Sequence, residues 1–577
     1  MYKLVGFGAH GGIAMGEVVK LVDEEQSSSK ISVSAEEELQ KLSSTFRDTV
    51  SEIEILKQSL FGKTDKKYLE MLDVHLMVLG DNAFKKEIEE IIVKKNFSVD
   101  EAIKEVVSQY QKKFDEVGGD EGKSNFFEIR DVSGRLLANL SYSSLSKEDL
   151  HNKIVILDNI RASLLLECRS RGINILGLIT SSYGPSSHAA ILSKAFKIPS
   201  VFCTKGLEKV RWSEVKDAIL DSRNGFESVI LNPEEHYREQ YIDLMEEFKK
   251  EQDEMEKYKE LEPLTKCGEK LAIDLNICVW EELWDVEYSA NIGLFRTEFL
   301  FMLSSSIPSE EEQFQLYSHL LNNLKGDSSY AVIRAMDVGS DKNLPSLSMG
   351  QEENPALGLR GIRLLLRKKG MFKSQLRAIL KSSNIKKTKI LYPMVTNRHE
   401  VIEANQLLDE CKKELIDEGY NIDTKIEVGA MVEVPSAALT IDKIIEHVDF
   451  ISIGTNDLAQ YMLAADRQNS SVSYIYDTLD SSVLRLVDFV ASHVIEKGKK
   501  VNVCGELSST AEGIVALLSL GIKSFSINPS QVGTVKHVVS SIEMDSLSDI
   551  KEYILDSGSG EKNRGMIRMF LEEVLSK

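Results

Sequence analysis

The stretch Phe450-Ile451-Ser452-Ile453-Gly454-Thr455-Asn456-Asp457 joins a short apolar run to a polar turn carrying an amide and a carboxylate. It is one of eight such runs in the second half of the chain. The others are Leu271–Cys278, Ile292–Phe295, Ala331–Met336, Ile390–Val395, Val428–Val434, Val501–Cys504 and Ser524–Ile527. Gaps long enough for helices or loops separate them. Eight strands alternating with helices over about 300 residues predict a (β/α)8 barrel. Chemistry-bearing residues fall at the ends of the runs: Arg296 and Glu298, Asp337, Glu433, Asn456 and Asp457, and Cys504. Barrels of this kind carry their sites at the C-terminal ends of the strands, so two separate readings agree.

Working backward, Pro233 to Pro263 is crowded with Glu and Lys, with Tyr241, Leu244, Met245, Phe248 and Met255 interleaved. This predicts a charged connecting helix, either solvated and structural or a hinge between mobile halves. From Ala35 to Leu145 the texture is that of amphipathic helices. Leu69, Leu72, Leu76 and Leu79 recur at helical spacing, and Ser98 and Asp100 mark a helix start. Strand-like runs at Glu17–Val22, Lys153–Leu157, Gly177–Thr180 and Ser200–Cys203 flank these helices. The expectation is an α/β domain interrupted by a helical insertion. The predicted division is 1–22 with 146–230, an insertion at 23–145, a linker helix at 231–263, and the barrel at 264–577.

A chain of 577 residues is too long for one core. Its formal net charge of −21 disfavours general binding to nucleic acid or anionic membranes. Six cysteines without CxxC spacing suggest neither a zinc site nor a disulfide framework. No run of about 18 apolar residues occurs, so a cytoplasmic protein without membrane insertion is expected.

Arg296 and Arg334 can fork onto phosphate oxygens, and Arg360, Arg363 and Lys342 can add positive charge. Glu433 and Asp457 at one mouth suit Mg²⁺, which favours oxygen ligands and keeps waters; the alternative is ion pairing with the arginines. Cys504 is either inert packing or, among cations, a thiol of lowered pKa able to exchange a proton with a substrate carbon. His188 sits in Gly184-Pro185-Ser186-Ser187-His188-Ala189-Ala190-Ile191, which reads as a turn opening a helix. Free N–H groups there would help an imidazole carry a phosphoryl group; the plainer reading is a surface or capping residue.

Several segments together resemble phosphoenolpyruvate-protein phosphotransferase, enzyme I of the bacterial sugar phosphotransferase system. They are Gly293-Leu294-Phe295-Arg296-Thr297-Glu298-Phe299-Leu300-Phe301-Met302, Ser452 to Tyr461, Asn354 to Arg363, Met431-Val432-Glu433-Val434-Pro435 and Cys504-Gly505-Glu506-Leu507. The resemblance spans nearly the whole chain. It implies a swivelling phosphohistidine α/β domain with an inserted α-helical subdomain, followed by a (β/α)8 barrel that also joins a homodimer. It implies that Arg296, Arg334, Asn456, Asp457 and Arg467 bind phosphoenolpyruvate, with Mg²⁺ on Glu433 and Asp457. It further implies that His188 accepts the phosphoryl group, that Cys504 protonates the enolpyruvate carbon, and that pyruvate leaves. The group would then pass to the small histidine-containing phosphocarrier protein (HPr), with Glu70, His75 and Asp81 in the docking region. The chain departs from the family pattern at Tyr183, Lys194, Ser340 and Asn125, and between Asp158 and Ser163. Two other readings remain: a regulatory relay of the same chemistry uncoupled from sugar uptake, and a phosphoenolpyruvate synthase or dikinase without its ATP domain. The latter fits poorly, because the helical stretch has no Gly-rich nucleotide loop.

Overall fold

The computed structural model describes residues 2–8, 11–21, 35–60, 74–117, 129, 132–137, 139–140, 150–157, 165, 168, 172–180, 193, 196–203, 210–223, 227–278, 291–303, 307–326, 328–339, 352–467, 469, 472 and 474–576. The chain divides into two compact units, Met1–Lys250 and Glu251–Lys577.

In the first unit the strands are β1 (Tyr2–Gly8), β2 (Ile13–Leu21), β3 (Lys153–Leu157), β4 (Ile175–Thr180), β5 (Ser200–Cys203), β6 (Asp217–Asp221) and β7 (Ser228–Leu231). They close in the order β1-β5-β4-β3-β2-β6-β7. The pairs β2–β3, β3–β4 and β4–β5 are parallel and the rest antiparallel. Pleating divides the β3 residues between two cores. Ile154 and Ile156 pack with Leu4, Leu220 and Val229, while Val155 and Leu157 pack with Leu178 and Phe202. The helices α1 (Ala35–Leu60), α2 (Asn82–Lys95) and α3 (Val99–Val117) lie between β2 and β3 in sequence. They keep a core of their own around Leu42, Phe46, Ile53, Ile88, Ile92 and Ile103. The buried Glu38 of α1 accepts the Val99 N–H at 2.7 Å, tying α1 to the start of α3. The charged stretch forms α4 (Glu235–Lys259).

The second unit is a closed barrel of eight strands: β8 (Ala272–Ile277), β9 (Ile292–Arg296), β10 (Tyr330–Arg334), β11 (Lys387–Tyr392), β12 (Glu427–Val432), β13 (Phe450–Ile453), β14 (Lys500–Val503) and β15 (Ser524–Ile527). All its pairings are parallel, and β15 closes on β8. Outward residues such as Phe295, Ile333, Val432, Ile451 and Val503 join the layer beneath the helices. Leu294, Val332, Leu391, Met431, Phe450 and Cys504 fill the interior. One end is plugged by a satisfied polar group: Asp274 accepts from Tyr330 and Asn291, and Lys389 pairs with Glu427 at 2.8 Å and lies 4.6 Å from the Tyr330 ring. Those residues sit at or near strand starts, which leaves the opposite end for chemistry.

Among the helices outside the barrel, α5 (Glu298–Leu303) and α6 (Glu310–Asn323) follow β9. The helices α7 (Ile362–Arg367) and α8 (Lys369–Ser382) follow β10, α9 (Arg398–Asp417) follows β11, and α10 (Thr455–Met462) follows β13. Ser309 and Glu312 form a capping box on α6, as do Asn397 and Glu400 on α9. Among the described residues no helix is long and apolar enough to cross a membrane.

Candidate active site

Strand alternation builds the site. Leu294 faces the interior and Phe295 the outer layer, so Arg296 at the end of β9 turns inward. The same parity brings Arg334 inward after Val332 and Ile333, and Glu433 after Met431 and Val432. Three residues predicted from sequence therefore converge on the C-terminal mouth of the barrel.

Arg334 is 7% exposed. It lies 2.9 Å from Glu298 and 3.6 Å from Asp337. The Nε atoms of Arg334 and Arg296 are buried without a hydrogen-bond partner among the described residues. The Arg296 guanidinium is held above its usual pKa, chiefly by the neighbouring Cys278, with Glu298 and Cys504 adding to this against burial and Arg334.

Asn456 and Asp457 occupy the first turn of α10 and are buried. Asn456 Oδ1 accepts the Glu506 N–H at 2.9 Å. Asp457 lies 3.5 Å from Arg360 and 4.0 Å from Arg467, whose side chain is about one-third exposed. Arg360 also grips Asp337 through two hydrogen bonds of 3.2 and 2.8 Å. It is thus an integral member of a buried network, beyond the general positive charge the sequence suggested. Arg363 instead donates to the Leu357 and Gly358 carbonyls and to Thr396, so it holds a loop. Glu298 and Asp337, noted in the sequence only as strand-end residues, connect these groups: Glu298 accepts the Asp337 N–H at 2.8 Å while pairing with Arg334.

Burial, followed by the charges of Asp457 and Asp337, pushes Glu433 up to about 8 despite Arg334 and Arg360. A carboxylate pair that cannot comfortably hold both charges alone fits a divalent cation, which would relieve the repulsion. No cluster of three or more acidic, His or Cys side chains with metal-binding geometry occurs among the described residues. Two carboxylates nevertheless suffice for Mg²⁺, which takes its remaining ligands from water and substrate oxygens.

Cys504 is 2% exposed, and its sulfur accepts a hydrogen bond from Ser452 at 3.1 Å. One of the two sequence readings had its pKa lowered among cations. The structure gives the opposite direction: burial raises it, outweighing the Ser452 hydrogen bond and the two arginines. At neutral pH the group is a thiol, the form that can give a proton.

His188, Lys342 and Glu70 lie outside the described residues. His75 is fully buried. Asp81 is exposed and caps α2 through the Ala83 N–H at 2.8 Å. Sequence reasoning missed the backbone N–H of Met394, which donates to Glu433 at 2.6 Å.

Comparison with known proteins adds the family. Residues 252–544 match the family described as PEP-utilising enzyme, PEP-binding domain. Residues 5–121 match its N-terminal domain and 150–225 its mobile domain. The phosphoenolpyruvate-protein phosphotransferase of Latilactobacillus sakei is 32% identical over 99% of this chain and 100% of its own length. The chain belongs to the phosphoenolpyruvate-protein phosphotransferase family. Relatives of the same description from Mycoplasma capricolum and Bacillus subtilis are each 31% identical, covering 99% and 97% of this chain and 99% and 98% of their own. Membership makes the protein an enzyme, as opposed to a binding or structural module.

Proposed function

We propose that the protein takes the phosphoryl group of phosphoenolpyruvate onto its own His188 and passes it to HPr, as the first step of sugar phosphotransfer. What carries this reading is the convergence of inward-facing Arg296, Arg334, Glu433 and Cys504 on one barrel mouth, beside Asn456 and Asp457. Arg296, Arg334 and Arg467 would meet the phosphate and carboxylate oxygens, and Asn456 would donate to the substrate. Glu433 and Asp457 would hold Mg²⁺, which supplies charge neutralisation on the substrate oxygens when bound.

A ring nitrogen of His188 forms the new N–P bond in line with the breaking P–O bond to the enolate. The enolate then takes the Cys504 proton at its terminal carbon and leaves as pyruvate, and the thiolate regains a proton from water. Burial keeps Cys504 protonated until that step. The swivel of the phosphohistidine domain, the domain boundaries given above, the dimer through the barrel and the cytoplasmic location belong to the same proposal. So does the docking of HPr on the helical insertion. A relay not coupled to sugar uptake would share every step before the carrier.

The test is a rapid-quench assay of pyruvate with phosphoenolpyruvate and Mg²⁺, without carrier. A burst of one pyruvate per active site, absent from His188→Ala, is expected. A wild type that releases no pyruvate, or an equal burst from the variant, would refute the assignment.

A further inference from the structure

Met394, two residues past the end of β11, is 1% exposed and has a backbone φ of 56°. That left-handed conformation is uncommon for any residue but glycine, asparagine or aspartate, and such strain gathers where surroundings enforce it. Here the surroundings are the rim itself. The Pro393 carbonyl accepts the Ile362 N–H at 3.3 Å, and Gly361 donates to the Val338 carbonyl at 3.3 Å. Gly361 is itself at φ +56°, and a Cβ there would lie 2.7 Å from Met394 Cβ and 3.1 Å from an Asp337 carboxylate oxygen. The Tyr461 hydroxyl, which donates to the Ala356 carbonyl, lies 4.0 Å from the Met394 sulfur, on the helix that carries Asp457.

The product of this arrangement is one aimed hydrogen bond. The Met394 N–H reaches Oε1 of Glu433 at 2.6 Å. The other oxygen, Oε2, lies against Gly454, where an added Cβ would approach it to 2.7 Å, at the turn leading into Asn456 and Asp457.

We propose that Met394 is a positioning residue for the cation site: its left-handed backbone pins one oxygen of Glu433 so that the other stays at the Gly454 turn leading into Asp457. The role belongs to the backbone, with Gly361 packed closely against it. The inference rests on the reading of Glu433 and Asp457 as cation ligands.

The two roles a buried methionine can have predict opposite orders of variants. If Met394 only fills space, Met394→Ile is the mildest change and Met394→Gly or Met394→Asn the harshest. If it positions Glu433, the β-branched isoleucine is the harmful one because it resists φ > 0, whereas glycine and asparagine keep the N–H in place. The measurement is binding of Mn²⁺ alone, read as loss of the free-ion electron paramagnetic resonance signal, with circular dichroism as a check on folding. Met394→Ile should bind about tenfold more weakly, equivalent to about 1.4 kcal/mol, because the added resistance of a β-branched residue to φ > 0 is relieved by moving the N–H. Met394→Gly and Met394→Asn should remain close to wild type in affinity even where their melting temperatures fall. Gly361→Ala, whose Cβ would press on Met394, should weaken binding with Met394 intact. Wild-type affinity in Met394→Ile with loss in Met394→Gly would overturn the inference, as would unchanged binding in both Met394→Ile and Gly361→Ala. Failure of the underlying reading is distinct: Mn²⁺ would then bind wild type and Glu433→Gln equally, or neither.

Discussion

Replacing Arg334 by methionine removes a guanidinium while keeping a long apolar stem, and its effects on stability and on substrate can be separated. The side chain is buried, 2.9 Å from Glu298 and 3.6 Å from Asp337, and both carboxylates are themselves buried. Breaking a buried ion pair from one side costs about 3–5 kcal/mol, mostly the penalty of the stranded charge. The lower figure applies here, because Asp337 keeps two hydrogen bonds from Arg360 and Glu298 keeps the Asp337 N–H. Arg334→Met should therefore lose about 3 kcal/mol in urea unfolding of the barrel. Adding Glu298→Gln removes the stranded charge, so the double variant should recover most of that loss. It should not recover phosphoenolpyruvate binding. A missing pair of charge-assisted hydrogen bonds to phosphate weakens affinity by about 100-fold, equivalent to about 2.7 kcal/mol, in calorimetric titration at saturating Mg²⁺. If affinity returned together with stability, Arg334 would be a structural counter-ion and its substrate role would be wrong. If Arg334→Met were as stable as wild type, the burial argument would fail instead.

Two further predictions follow from the same network and its surroundings. Cys504→Ser exchanges a buried thiol for a far weaker acid in nearly the same volume. Pyruvate formation should slow by about 10²–10⁴-fold, with phosphoenolpyruvate affinity little changed; an unaltered rate in rapid quench would remove Cys504 from the proton transfer. On the barrel exterior, burial pushes the Glu310 pKa upward. Hydrogen bonds and charge from Arg377 and Lys381 outweigh it and leave the group below its ordinary 4.5. Because the folded pKa is the lower one, this contribution is present above the unfolded value and disappears as pH falls through the folded value. Glu310→Gln should accordingly melt below wild type at pH 7, with the gap closing at strongly acidic pH; a gap that widened on acidification would contradict the sign.

The barrel could be read from the chain because its strands are buried on both faces and so appear as continuous apolar runs. The limits of those runs were less faithful. Ile390–Val395 reads as one run, yet β11 ends at Tyr392, since Pro393 offers no N–H to a ladder and Met394 turns left-handed. β6 and β7 were not read as strands at all. Asp217–Asp221 holds only three apolar residues between two acids and Ser228–Leu231 is four residues long, so neither displays a period. Nor was the closure of the first unit's strands visible, since most of its neighbours in space are distant in sequence.

The site was partly legible for a physical reason. Arg296, Arg334, Glu433 and Cys504 lie at or just past strand ends, where position alone places a side chain at the barrel mouth. What sequence could not supply was the partnership between Asp337 and Arg360, 23 positions apart and joined only by the fold. Nor could it supply the Met394 N–H, because residue identity does not announce where a backbone donor points. The direction of the Cys504 shift was left open for a related reason: the arginines that lower it can be named from sequence, but the degree of burial that outweighs them cannot.

The most direct measurement locates the phosphoryl group. The protein is incubated with phosphoenolpyruvate and Mg²⁺, with label in the phosphoryl group, then quenched in alkali and mapped by peptide mass spectrometry. The account predicts alkali-stable, acid-labile label on the peptide containing His188, none in His188→Ala, and a much reduced rate in the doubly substituted Arg334→Met/Glu298→Gln protein. Label on any other residue, or undiminished label in His188→Ala, would contradict it.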